Sequence, residues 1–112
     1  MMANELIQHA TREMNDWTIW SVTGRIDTTT ATGAGDTGEK ILSNAKKVAL
    51  DLSKVAYLSS AGLRVLLRLA KKAKSSGKEF ALCAASGMVK DVLEESGMDM
   101  LVTIHDSLDT LK

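Results

Sequence analysis

Two adjacent serines, Ser59 and Ser60, stand between an apolar segment and a long amphipathic segment. Ser59 suits the N-cap of a helix, because its hydroxyl can accept a hydrogen bond from a free amide of the first turn. Ser60 then falls in that turn, where unpaired amides and the positive end of the helix dipole favour an anion such as phosphate. Gly62 keeps the turn narrow and lets another backbone approach. These residues predict a switchable anion site; the alternative is a plain capping serine followed by small packing residues.

Catalysis by these serines is disfavoured. A nucleophilic serine needs a histidine base and an orienting carboxylate, for which the candidates are His9 or His105 and Asp27 or Asp51. The G-x-S-x-G elbow is absent, and so are a phosphate-binding loop and a dinucleotide fingerprint. The aspartates do not have the spacing of a metal-binding loop. We therefore expect no enzyme activity, no cofactor and no metal.

Composition sets the class of protein. The 112 residues suit a single domain, 1–112, and 45% hydrophobic and 25% charged residues are typical of a globular protein. The formal net charge of zero argues against general binding to nucleic acid or to anionic membranes. The single cysteine, Cys83, lies in an apolar run and is predicted to pack in the core. No signal peptide or membrane-spanning run is present, so we expect a cytoplasmic location without membrane insertion.

The elements that position the serines are a strand and a helix. Residues 48–52 are apolar except for Asp51 and predict a central strand, followed by a turn at Ser53 and Lys54. From Ser60 onward, apolar residues recur at spacings of three and four, which predicts a helix over about residues 60–76 with a stop at Gly77.

The rest of the chain alternates strands and helices. We predict a short edge strand near Leu6 and Ile7, a hairpin turn at Asn15 and Asp16, and a strand over 17–24. Residues 28–45 predict a helix, capped by Asp27 or Thr28, whose glycines loosen its first half. A strand over 78–84, a helix capped by Ser86, a last short strand and a short helix over 107–111 follow.

This order predicts an α/β fold with a mainly parallel sheet of four to five strands, an antiparallel first pair and about four helices. The loops at 24–27, 53–60 and 84–87 then converge on Ser60.

The ordered motifs of residues 14–111 resemble the STAS domain family, and in particular its single-domain bacterial anti-sigma factor antagonists. The resemblance is carried by Gly24-Arg25-Ile26-Asp27, by Asp51-Leu52-Ser53, by Tyr57-Leu58-Ser59-Ser60-Ala61-Gly62-Leu63, and by Glu95-Ser96-Gly97-Met98 after the turn at Gly77.

The resemblance implies a partner switch. In that family the unphosphorylated antagonist binds an anti-sigma factor that is also an ATP-dependent serine kinase. This binding releases the sigma factor. Phosphorylation of one serine separates the complex, and a metal-dependent serine phosphatase resets it. By motif position the phosphoacceptor is Ser60, and the partner-binding surface includes Gly24, Asp27, Ser59, Ser60, Gly62, Arg64 and Ser86. Arg64, one helical turn after Ser60, flanks it or is simply solvated.

Ser59 departs from the family pattern, because several members have aspartate before the phosphoserine. This leaves Ser59 as the second candidate for the phosphoacceptor. The main alternative function is a STAS subunit that binds the ATPase of a lipid-transport ABC complex and is not phosphorylated. A receptor-coupled or stressosome-like regulator is a further alternative.

Overall fold

Five strands form one sheet in the computed structural model, which describes residues 7–111. The strands are β1 (Ile7–Met14), β2 (Trp17–Ile26), β3 (Lys47–Leu58), β4 (Glu79–Cys83) and β5 (Thr103–His105). The helices are α1 (Ala31–Asn44), α2 (Ser60–Ser75) and α3 (Gly87–Glu95), with 3-10 turns at Met98–Met100 and Leu108–Thr110. Spatial order follows chain order; β1 and β2 are antiparallel and the other neighbours are parallel. The predicted α/β fold is confirmed, with three helices and two 3-10 turns in the described residues where about four helices were expected.

A tight hairpin joins the first two strands. Asn15 and Asp16 have φ angles of 51° and 72°, as expected for the two-residue hairpin turn that the sequence predicts. β1 is longer than the predicted short strand, because all its residues pair with β2, from Ile7 opposite Gly24 to Met14 opposite Trp17. Leu6, the other residue of that prediction, lies outside the described residues.

The two faces of the sheet enter different cores. In β3, Val48, Leu50 and Leu52 lie in the larger core, whereas Ala49 lies in the smaller one. All three helices pack on the larger core, as expected when parallel strands follow one another by crossovers of the same hand. The buried members of the smaller core are Trp17, Ile19, Ala49, Ala81, Cys83 and Leu111. The predicted core position of Cys83 is confirmed, since its exposed fraction is 0%.

β3 extends further than the sequence indicates. The predicted turn at Ser53 and Lys54 is wrong, because the strand continues to Leu58. β2 is the reason, since its register with β3 runs to Ile26 opposite Leu58. β4, on the other side, stops pairing where Cys83 lies opposite Asp51. β3 therefore carries the start of α2 to the end of β2, well beyond the end of β4.

α1 is regular from its first residue, so the predicted loose first half is wrong. A Cβ on Gly38 would lie 2.9 Å from two ring carbons of Trp20, and a Cβ on Gly35 would lie 3.3 Å from a methyl carbon of Val65. These glycines thus let α1 approach α2 and β2 closely. The resulting burial offsets the cost of about 1 kcal/mol for each glycine in a helix interior.

Candidate functional site

The start of α2 uses its two serines differently. Ser59 is the N-cap, and its Oγ accepts a hydrogen bond from the Gly62 amide at 3.1 Å. Ser60 is the first residue of the helix and is exposed. The predicted cap is confirmed, and one hydroxyl is engaged in holding the helix end while its neighbour faces solvent.

The same helix end is fastened to β2. The Ser59 amide donates to the Ile26 carbonyl at 2.9 Å. A Cβ on Gly62 would lie 2.8 Å from that carbonyl oxygen and 2.8 Å from Cδ1 of Leu58. Gly62 is buried, and the absence of a side chain there allows the close approach of β2, as the sequence predicts.

Asp27 organises the chain between β2 and α1. Its Oδ1 accepts hydrogen bonds from the Thr29 amide at 2.9 Å, the Thr29 hydroxyl at 2.8 Å and the Thr30 amide at 3.2 Å. These donors, above all the Thr29 hydroxyl, lower the pKa of Asp27 below its usual value. Thr30 occupies the N-cap position without a side-chain capping bond, so Asp27 satisfies the free amides just before α1.

Arg25 and Tyr57 extend the site in a way that was not predicted. The Arg25 Nε lies 3.7 Å from Oδ2 of Asp27. The Arg25 guanidinium carbon also lies 4.3 Å from the centroid of the Tyr57 ring, a cation–π contact that follows from the pairing of these two residues between β2 and β3. Arg25 belongs to the Gly24–Asp27 motif, but nothing in the sequence alone reveals that its partner across the sheet is aromatic.

The other predicted partner-binding residues, Gly24, Arg64 and Ser86, belong to three different parts of the fold. Gly24 is in β2 with φ 121°, at a register shift between β2 and β3. Arg64 is exposed on α2, one turn after Ser60. Ser86 is the N-cap residue of α3 and follows β4, whose pairing with β3 ends at Asp51. Two of the three predicted loops, 24–27 and 53–60, are therefore mostly strand, and their ends meet at the start of α2; the third follows a strand that ends earlier.

The histidines are engaged elsewhere. His9 Nδ1 accepts a hydrogen bond from Nε1 of Trp20 at 3.0 Å, and His105 Nδ1 lies 2.7 Å from the Thr110 hydroxyl. Within residues 7–111 no group of three or more His, Cys, Asp or Glu side chains is arranged to hold a metal ion. None of the helices in that range combines the length and apolarity that a membrane span requires.

Comparison with known families identifies the fold around this site. The family model of the STAS domain matches residues 8–111. The chain belongs to the STAS domain family. The RsfB protein of Mycobacterium tuberculosis, named an anti-sigma-F factor antagonist, is 29% identical over 113 aligned positions, which cover 96% of this chain and 92% of RsfB.

Two further comparisons place this STAS domain among its relatives. BtrV of Bordetella bronchiseptica is 39% identical over 62 residues, which are 55% of this chain and only 53% of BtrV. The crystal structure of an anti-sigma factor antagonist from Mycobacterium paratuberculosis has the same fold, with a TM-score of 0.85 at 23% identity; the match covers 97% of this STAS domain and 93% of that chain.

Proposed function

We propose that this STAS domain is an anti-sigma factor antagonist whose binding is switched off by phosphorylation of Ser60. The name of RsfB, which aligns over nearly the whole chain, supports the antagonist function. We choose Ser60 as the phosphoacceptor because the two serines have different roles at the start of α2. The Ser59 hydroxyl is held by the Gly62 amide, whereas Ser60 is exposed. Ser60 is thus the hydroxyl that a kinase can reach without undoing the helix cap.

Phosphorylation here changes binding without unfolding the protein. A phosphoserine adds about −1.5 to −2 charges. Within the free domain, the helix N-terminus stabilises that charge by about 0.3–1 kcal/mol. At a contact with another protein, the same charge must be desolvated and repels any acidic groups of that partner. The expected partner surface comprises Gly24, Asp27, Ser59, Ser60, Gly62, Arg64 and Ser86, together with Arg25.

The proposed cycle needs two protein partners and no chemistry by this domain. The first is an ATP-binding anti-sigma factor that is also the serine kinase, and the second is a metal-dependent serine phosphatase. The domain would act in the cytoplasm, where ATP and the transcription machinery are found, and would neither contact DNA directly nor catalyse a reaction.

The test is to incubate the chain with the anti-sigma factor kinase and ATP, and to locate phosphate by peptide mass spectrometry. We expect phosphate on Ser60, none on the Ser60→Ala variant, and modification of Ser60 in the Ser59→Ala control. Calorimetry should show binding of the kinase to Ser60→Ala and at least about tenfold weaker binding to Ser60→Asp. Phosphate on Ser59 would overturn the assignment of the acceptor. A chain never phosphorylated in its native cell, and copurifying with a transporter ATPase, would favour the lipid-transport alternative.

A further inference from the structure

A groove of about 500 Å³ lies where the C-terminal half of α2 meets the beginnings of β4 and β5. We call it the α2–β5 groove. Its apolar lining includes Trp17, Leu67, Ala70, Phe80, Leu101 and Val102. Leu101 is 60% exposed, and the adjacent Met100 is 86% exposed. Leu101 and Met100 give this side of the groove an apolar surface that another molecule can cover.

The rim of this groove is basic. Lys71 and Lys74 line it, with Glu79 as an acidic neighbour. Lys78 also lines the groove, but its Nζ donates a hydrogen bond to the Leu42 carbonyl oxygen. Lys71 and Lys74 are exposed, and neither has an ion pair within residues 7–111. On the other side of α2, by contrast, Glu39 of α1 pairs with two basic residues, Arg68 and Lys72. The ammonium groups of Lys71 and Lys74 are therefore available to acidic groups of another molecule.

We propose that the α2–β5 groove binds an acidic, amphipathic segment of a partner protein. Apolar side chains of that segment would cover Leu101 and Leu67, and its carboxylates would face Lys71 and Lys74. The groove lies at the opposite end of α2 from Ser60, and a helix of 16 residues is about 24 Å long. The proposed binding in the α2–β5 groove is independent of the proposed switch. The groove lies too far from Ser60 for a phosphate there to contact its occupant, and salt screens the charge over that distance.

The test uses nuclear magnetic resonance on the full, isotope-labelled chain with a synthetic probe. The probe is a 16-residue amphipathic peptide with leucines at spacings of three and four and with alanines and four glutamates at the other positions; the control peptide has lysines in place of the glutamates. We expect the acidic peptide to shift the amide signals of Leu101, Thr103 and the C-terminal half of α2. The Leu101→Ser and Lys71→Glu variants should each bind it at least about fivefold more weakly. Lys40→Glu, the same charge change on α1, should bind it as the unchanged chain does.

Four results would overturn the proposal. The first is an acidic peptide that leaves the groove signals unshifted, and the second is equal binding of the two peptides. The third is a shift of the same signals by phosphatidylglycerol vesicles but not by the peptide, which would make the groove a membrane contact. The fourth is a dimer in sedimentation that the Leu101→Ser variant abolishes, because a second copy of the chain would then cover the groove. Circular dichroism of each variant verifies that it is folded.

Discussion

Ser59 and Ser60 share one helix end but contribute differently to it. Ser59 satisfies the Gly62 amide and donates its own amide to Ile26, so it is part of the framework. Ser60 is exposed at the first helical position. A change at the first serine is therefore a change in stability, whereas a change at the second alters mainly the surface that a partner meets.

Alanine substitutions should separate the two serines. Ser59→Ala removes the capping acceptor and should lower the free energy of unfolding by about 1 kcal/mol. Ser60→Ala removes an exposed hydroxyl and should stay within about 0.5 kcal/mol of the unchanged chain. Urea denaturation followed by circular dichroism measures both. Equal losses for the two variants would show that the cap bond contributes nothing specific.

Asp27 should make the fold sensitive to acid. Its pKa is lowered in the folded chain, chiefly by the Thr29 hydroxyl, so its contribution to stability is full above its unfolded pKa of 3.8 and is lost as the pH falls through the lower folded pKa. Asp27→Asn should therefore be less stable than the unchanged chain at pH 6, and this difference should shrink as the pH drops below about 4. Urea denaturation at a series of pH values measures it.

Asp36→Asn is the matched control for this experiment. Asp36 is exposed on α1, so its replacement removes the same charge without removing the bonds to Thr29 and Thr30. A pH dependence of Asp27→Asn identical to that of Asp36→Asn would mean that overall charge, and not the local hydrogen bonds, governs the acid response.

At the scale of elements, His9 adds a side-chain contact between β1 and β2 to the backbone pairing of these strands. His9 Nδ1 accepts from the Trp20 indole, which requires a neutral ring with its proton on Nε2, and burial lowers the pKa of His9 below 6.5. Such a depressed pKa gives stability that is present above 6.5 and is lost as the pH falls through the folded value. We expect the amides of β1 to exchange with solvent faster at pH 5 than at pH 7, after correction for intrinsic exchange.

Histidine variants check this expectation. His9→Phe keeps an aromatic ring against Trp20 but cannot be protonated, so the loss of stability between pH 7 and pH 5 should become smaller. His105→Gln, which changes the second histidine of the chain, should leave the response of β1 as it is. A pH response of β1 that survives in His9→Phe would contradict the assignment.

The contact between α1 and β2 can be tested with a pair of glycines. A Cβ on Gly38 would lie 2.9 Å from the Trp20 ring and 2.7 Å from Leu69, so Gly38→Ala should destabilise the fold by about 1–3 kcal/mol through overpacking. A Cβ on Gly33 meets nothing within 4 Å, and Gly33→Ala should stabilise the fold by about 0.5–1 kcal/mol through helix propensity. Thermal unfolding of both variants measures the contrast.

The predictions from the sequence succeeded where one local signal decides the structure. The period of apolar residues and the capping serine defined α2, and Gly62 was recognised as a point of close approach. The predictions failed where pairing with residues distant in sequence determines the local structure. Polar, exposed residues at Ser53 and Lys54 indicate a turn, yet pairing with β2 keeps them in a strand. The pairing of Arg25 with Tyr57 likewise depends on a register that no local pattern encodes.

At the scale of the whole molecule, Cys83 reports on global opening. Its side chain is 0% exposed in the smaller core. Burial, assisted by the charge of Asp51, raises the pKa of its thiol from 9.0 to about 11. Because the folded pKa is raised, this contribution to stability is full below pH 9 and is lost as the pH rises through about 11.

Labelling of Cys83 should therefore require unfolding of the chain. At pH 8 we expect a disulfide reagent to modify it at least about a thousandfold more slowly than in urea-unfolded protein, as an unfolding free energy above about 4 kcal/mol implies. Leu93→Ala, which perturbs the larger core, should accelerate the labelling although it leaves the smaller core intact. Labelling that Leu93→Ala leaves unchanged would indicate local opening of the smaller core.

The fastening of α2 to β2 also has a kinetic consequence. The Ser59–Ile26 hydrogen bond and the tight fit of Gly62 hold the helix start in one shape, so a partner would spend little conformational entropy on ordering it. Association would then proceed at a rate set by diffusion and charge. A modification of this rigid surface introduces a clash or repulsion that local rearrangement cannot relieve, so it would act mostly on the lifetime of the complex. If the proposed phosphorylation of Ser60 acts on this preformed surface, it would control release of the partner more than its capture.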